Sequence, residues 1–324
     1  MSVLSLKGQN LLTTEGMTID DLRQIMISAH LARRRAENNF ERGSNIKSGT
    51  LRGRRVFLAF FEPSTRTFES FSAAAQILGC HVSGFRSSAG TSTDKGESLP
   101  DTVRTVTSYN TDLLVIRHPQ IGAAQVATDN CGIPVINAGD GTNQHPTQAL
   151  LDVLCLLEHF GGFSRPDGIN LDVLRDKTIA ICGDLRNGRT LHSGIPLYRL
   201  LGMKLILCAP AELQIDPPDG IESTQVEKLE AALAGADIIY MTRIQFERPG
   251  MDQLQHLKGA YVLRRDMIND FNPEIAILHP LPRVDEIATD VDDLPNALYF
   301  KLQTPCGMWT RMALLELLIR DHTD

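Results

Sequence analysis

Aromatic residues make up only 6% of the 324 positions, with a single tryptophan, and the six cysteines include no C-x-x-C pair. That scarcity disfavours a zinc ribbon or a disulfide framework. Cys155, Cys182 and Cys208 sit inside apolar segments and read as reduced, buried thiols. No apolar run approaches the roughly 18 residues that a membrane-spanning helix needs. The opening stretch, MSVLSLKGQNLLTTEGMTIDDL, lacks the basic start, apolar centre and cleavage site of a secretory signal, so a cytoplasmic location is expected. Basic charge is also in deficit: 32 Lys and Arg against 39 Asp and Glu leave −7. Nucleic acid and anionic membranes are therefore poor partners for this surface. The same balance would be expected to disfavour small anionic substrates.

What is present is an ordinary globular composition, 42% hydrophobic and 22% charged, in a chain long enough for two domains of about 100–200 residues. Short apolar, β-branched runs recur at 55–61 (RVFLAFF), 81–85, 112–116 (DLLVI) and 134–137. A second set follows at 178–182 (TIAIC), 204–208 (KLILC), 237–241 (DIIYM) and 275–278. Runs this uniformly apolar predict strands covered on both faces, as in parallel sheets. Helical patterns lie between them, for example at 67–78 and 147–160. The alternation predicts an α/β fold with two domains of similar size, each a mainly parallel sheet flanked by helices, joined by interdomain helices. The Gly-, Pro- and Asp-rich stretch 161–176 reads as a loop near the middle, and the apolar helix at 311–320 is expected to pack back on the first domain.

In open α/β sheets, ligands bind beyond the carboxyl ends of the strands. Here those ends read Glu62-Pro63-Ser64-Thr65-Arg66-Thr67, Arg117-His118-Pro119, His145-Pro146-Thr147-Gln148, Gly183 through Arg189, Thr242-Arg243-Ile244-Gln245 and His279-Pro280-Leu281-Pro282-Arg283. Five carry an arginine and the sixth a histidine, a convergence that predicts one cationic cleft. Ser64 or Thr65 alone could be helix caps, but three hydroxyls around one Arg at a helix start predict a phosphate site. His145 precedes a proline suited to a first helical turn, with Gln148 in the same turn. It could be structural, or a neutral donor to a carbonyl oxygen. The segment from Gly183 to Arg189 fits neither nucleotide-loop pattern, and its useful content is Arg189. Arg189 and Arg243 on separate strand ends suit a ligand with two carboxylates, and Gln245 shares the face of Arg243. Pro282 is a candidate cis proline in a stiff turn. The polar stretch 84–98 reads as a mobile loop in which Lys95 is either a solvated lysine or one brought to a phosphate.

Together, Ser64-Thr65-Arg66-Thr67, His145-Pro146-Thr147-Gln148 and His279-Pro280-Leu281-Pro282-Arg283 resemble the aspartate/ornithine carbamoyltransferase family, closest to its aspartate branch. The likeness extends through Val284-Asp285-Glu286-Ile287 to the C-terminal helix. The resemblance implies carbamoyl transfer from carbamoyl phosphate to the amine of L-aspartate, without metal or organic cofactor. It implies residues 1–147 as the carbamoyl-phosphate domain, with the helix 308–324 packed back on it, and 148–307 as the aspartate domain. Ser64, Thr65, Arg66 and Thr67 would bind phosphate, while Arg117, His145 and Gln148 would hold the carbamoyl group. Arg189, Arg243 and Gln245 would bind aspartate, with Leu281 and Pro282 near the reacting amine. Thr67, Arg117 and His145 would stabilise the oxyanion. Lys95 and the loop serine Ser92 would reach a neighbouring subunit's site in a homotrimer, although the loop is one residue shorter here than the family pattern. Whether a regulatory chain or a dihydroorotase joins the trimer stays open. The alternatives are another acceptor, such as ornithine, and a non-catalytic scaffold paralogue.

Overall fold

The structure, a computed structural model, describes residues 6–41 (backbone alone at 38–41), 49–163, 168–244, 259 and 261–319. The first half runs α1 (Ile19–Glu41), β1 (Arg55–Phe60), α2 (Thr65–Ile77), β2 (His81–Phe85), α3 (Leu99–Thr107), β3 (Leu113–His118), α4 (Ala123–Asp129) and β4 (Val135–Asp140). After α5 (Pro146–His159) come β5 (Thr178–Cys182), α6 (Arg189–Leu200), β6 (Lys204–Cys208), β7 (Ser223–Val226), α7 (Leu229–Gly235) and β8 (Ile238–Met241). The chain closes with α8 (Arg265–Phe271), β9 (Ala276–Leu278), a π-helical turn (Tyr299–Gln303) and α9 (Thr304–Leu318).

Two sheets form, a four-stranded one in the order β2-β1-β3-β4 and a five-stranded one in the order β7-β6-β5-β8-β9. All pairings between these strands are parallel. The expected two-domain α/β architecture is therefore present. β4 and β8 are buried along their whole length and β3 from Leu113 to Arg117, consistent with the apolar runs they contain. The second sheet has one strand more than the hydrophobic runs indicate. β7 reads Ser-Thr-Gln-Val and lies on an edge, where one side needs no apolar cover.

α1 carries Leu22, Ile25, Met26, Ala29, Ala32 and Ala36 on one buried stripe. Its start is a reciprocal cap: Asp21 N–H donates to Thr18 Oγ1 at 3.1 Å, and Thr18 N–H to Asp21 Oδ2 at 3.0 Å. α9 starts seven residues before the apolar stretch at 311–320 and is buried nearly all round, Trp309, Arg311, Met312, Leu314 and Leu315 included. It lies against α1, α2 and α5. α5 is enclosed on every side from Pro146 to Leu157 and so lies inside the molecule, at the seam between the two sheets.

Parallel pairing places the carboxyl ends of the strands of each sheet on one side. Gly183 follows β5 at φ +114, and a Cβ there would stand 2.2 Å from the Thr242 carbonyl oxygen just beyond β8. Only glycine allows the two strand ends to approach this closely. Gly183→Ala should lower the unfolding free energy by about 1–3 kcal/mol through overpacking against backbone. Denaturant titration of the variant beside the parent protein checks this; an unchanged midpoint would show that the strand ends yield freely.

Candidate active site

The strand ends enclose a cleft of about 1220 Å³ lined from both domains. Ser64, Thr65, Arg66, Thr67, Arg117, His145, Gln148, Arg189, Arg243, Leu281 and Pro282 all lie on its wall, as the sequence predicts. The N-termini of α2, α5 and α6 contribute to it, and at none of them does the capping side chain accept a backbone bond. Ser64 is the N-cap residue of α2, yet its hydroxyl donates to Thr67 Oγ1 at 3.1 Å. The first-turn N–H groups are left for an anion.

Arg117 lies where the β3–β4 register shifts, between Ile116 and His118. A bulge at this point re-aims the side chain into the cleft. Its guanidinium donates to the Ala138 carbonyl at 3.1 Å and to Glu62, while Nε, also buried, has no partner. Burial and the Arg189 charge pull its pKa down to about 10, so it stays cationic. Arg189, first residue of α6, donates to Glu62 Oε1 at 2.9 Å and to the Gly141 carbonyl at 2.8 Å. Glu62 thus ties the second domain's Arg189 to the first domain's Arg117. Burial alone would raise the Glu62 pKa, but the two guanidiniums hold it below the usual carboxylate range. Gly139, at φ +120, makes room: a Cβ there would meet Arg117 Nη1 at 2.9 Å.

A model of the aspartate/ornithine carbamoyltransferase carbamoyl-P binding domain matches residues 9–158, and one of the family's Asp/Orn binding domain matches residues 175–318. The chain belongs to the aspartate/ornithine carbamoyltransferase family. It is 43% identical over 280 residues to an aspartate carbamoyltransferase catalytic subunit of Chromobacterium violaceum, covering 84% of this chain and 88% of that one. The corresponding subunit of Clostridium perfringens is 42% identical over 324 residues, 97% of this chain and 99% of that one. Among solved structures, the aspartate transcarbamoylase of Trypanosoma cruzi with carbamoyl phosphate and aspartate superposes at TM-score 0.85, with 35% identity over 98% of this chain and 99% of that one. Its complex with N-(phosphonacetyl)-L-aspartic acid gives 0.83 at 35% identity over 97% of each chain.

In this carbamoyltransferase, His145 is buried, its backbone N–H donating to Ser193 Oγ at 2.7 Å. Burial, then the charges of Arg117, Arg189 and Arg311, push the imidazole pKa well below 6.5. The ring is neutral at working pH and can donate one hydrogen bond without adding charge to a cationic cleft. Leu281 sits at φ +51 before a cis bond to Pro282, the cis proline that the stiff turn suggests. Its N–H donates to His279 Nδ1 at 2.7 Å, so the His279 proton is on Nε2, which donates to Glu286 Oε1 at 2.5 Å.

One sequence expectation needs revision. Arg283 does not join the cleft: both of its Nη groups bind Asp292, so this arginine fastens the turn to the 3₁₀ segment after it. Ser92 and Lys95, expected to reach a neighbouring subunit's site, stand away from this chain's own cleft. They are exposed on a single 3₁₀ turn, Ser92–Lys95, where the sequence suggests only mobile loop. Gln245 lies outside the described residues. Sequence reasoning missed Glu62, although an acid directly after an apolar strand was a usable signal. It also missed Asp152, a carboxylate one helical turn after Gln148, and the buried Gln303 and Arg311. Among the described residues, no group of three His, Cys, Asp or Glu could hold a metal ion.

Because buried His145 refuses a proton that it accepts in the unfolded chain, it lowers stability as pH falls below 6.5 and has no effect above. His145→Asn should therefore flatten the loss of stability between about pH 7 and 5. Urea unfolding of both proteins across that range measures it. Comparing the two proteins cancels the opposite contribution of Asp152, whose burial raises its pKa to about 7. Parallel stability curves would contradict a neutral, buried His145.

Proposed function

We propose that this chain transfers the carbamoyl group of carbamoyl phosphate to the amine of L-aspartate, giving N-carbamoyl-L-aspartate and phosphate, a step of pyrimidine biosynthesis in the cytoplasm. The observation that carries the reading is the gathering of Arg66, Arg117, Arg189, Arg243 and neutral His145 on one cleft between two domains. Residues 1–147, with the C-terminal helix α9 packed on them, serve as the carbamoyl-phosphate domain and the residues from 148 up to that helix as the aspartate domain.

Ser64, Thr65, Arg66 and Thr67 at the α2 start take the phosphate. Arg66 forms no ion pair among the described residues. Arg117, His145 and Gln148 take the carbamoyl group, whose oxygen gains negative charge as the neutral amine attacks carbon. Thr67, Arg117 and His145 stabilise that oxyanion, each preorganised donor contributing about 3–4 kcal/mol. Arg189, Arg243 and Gln245 take the two aspartate carboxylates, and the Leu281 carbonyl and Pro282 set the amine. The tetrahedral intermediate expels phosphate, which accepts the amine proton. Positioning the two anions together contributes about 7–11 kcal/mol of effective molarity. A cationic acceptor such as ornithine would meet Arg189 and Arg243 as like charges. A scaffold role gives no reason to keep the cationic set.

The exposed Lys95 and Ser92 complete the site of a neighbouring subunit, in a homotrimer. Purified chain supplied with carbamoyl phosphate and L-aspartate should release phosphate and N-carbamoyl-L-aspartate in equal amounts, with ornithine inert; no turnover by an assembled trimer would overturn the reading. Arg66→Ala should abolish turnover and leave the melting temperature nearly unchanged. Mixing inactive Arg66→Ala with inactive Lys95→Ala should restore part of the activity through hybrid trimers. Recovery of none would place Lys95 outside any shared site.

A further inference from the structure

Asp152 is buried in α5, and its carboxylate accepts from three side chains. Its Oδ1 receives Gln148 Nε2 at 2.9 Å and Gln303 Nε2 at 2.7 Å; its Oδ2 receives Tyr240 Oη at 2.8 Å. Asp152 is the acceptor in all three bonds, so both glutamines turn their NH2 groups toward it. For Gln148, on the cleft wall, the remaining polar atom is Oε1, and this is what a ligand meets. For Gln303, Oε1 accepts the His279 N–H at 2.9 Å, and His279 in turn receives the Leu281 N–H on Nδ1. One carboxylate therefore stands between the Gln148 amide and the turn from His279 to Arg283.

We propose that Asp152 is a positioning residue: it fixes the amides of Gln148 and Gln303 together, and so keeps an acceptor oxygen facing the carbamoyl NH2 in register with the acceptor-binding turn. The proposal rests on the carbamoyl-transfer reading above. It makes Asp152 a determinant of donor specificity. An acceptor oxygen held at this point favours a carbamoyl NH2 and leaves an unpaired acceptor when a methyl group takes its place, as in acetyl phosphate. If the amide were free to rotate, Gln148 could turn its oxygen away and the preference would weaken.

Two substitutions separate this role from a structural one. Asp152→Asn and Asp152→Leu both remove the carboxyl group that faces buried Arg311, so they share that electrostatic cost. Only Asn keeps an oxygen for the two glutamines, its NH2 group donating to Tyr240, whose hydroxyl also bonds Thr190. The measurement is the ratio of kcat/KM for carbamoyl phosphate over acetyl phosphate, with L-aspartate saturating, beside melting temperatures. The ratio should fall about tenfold in Asp152→Leu and stay near the parent value in Asp152→Asn. If the leucine variant does not fold, Asp152→Ala carries the same expectation. An unchanged ratio in the truncated variant, or an equal loss in Asp152→Asn, overturns the proposal. Failure of the parent protein to use carbamoyl phosphate would instead overturn the functional reading on which it rests.

Discussion

Arg117 and Arg189 come within reach of one carboxylate, Glu62, in a cleft that also holds Arg66, Arg243 and the buried ring of His145. Cations crowded at low dielectric repel one another and lose hydration, which is why the Arg117 pKa is pulled down to about 10 and His145 stays neutral. Glu62 offsets part of that repulsion and, in doing so, bridges the two domains. Much else follows from this arrangement. The bulge that aims Arg117, the glycine at 139 beside its guanidinium and the uncapped start of α6 exist where the bridge needs them.

The fold supplies those positions through parallel pairing. Two sheets point their carboxyl ends into a shared cleft, and α5 passes buried between them, carrying His145 and Gln148 at its start and Asp152 one turn on. Ser193 of α6 accepts the backbone N–H of His145 and donates to Gln144 at 2.7 Å, so the second domain also fixes the loop that presents the histidine. A bulk charge of −7 says little about such a place. Charges on the far surface are screened over about 8–10 Å, whereas the strand-end arginines act at contact distance.

The apolar strands were legible because burial on both faces demands unbroken Val, Ile and Leu, and their ends then located Arg66, Arg117, His145, Arg189 and Arg243. β7 was illegible because an edge strand with polar residues carries no such signal. The sequence marks α1 by the Leu22, Ile25, Met26, Ala29 spacing and the Thr18–Asp21 cap, a signal separate from the apolar strand runs. Arg283 was misplaced because a strand-end position does not reveal that Asp292 comes within bonding distance. Asp152 and Gln303 escaped for the same reason. Their meaning lies in partners 151 positions apart, a relation that only the folded chain displays.

Calorimetric titration with N-(phosphonacetyl)-L-aspartate tests the central claim most directly, because this one molecule carries both anions that the cleft is argued to hold together. The account predicts one molecule bound per chain, with affinity reduced at least about tenfold in Arg66→Ala and in Arg189→Ala, each of which removes a charge-assisted contact to a different end of the ligand. Absence of binding, or binding that neither substitution weakens, would contradict it.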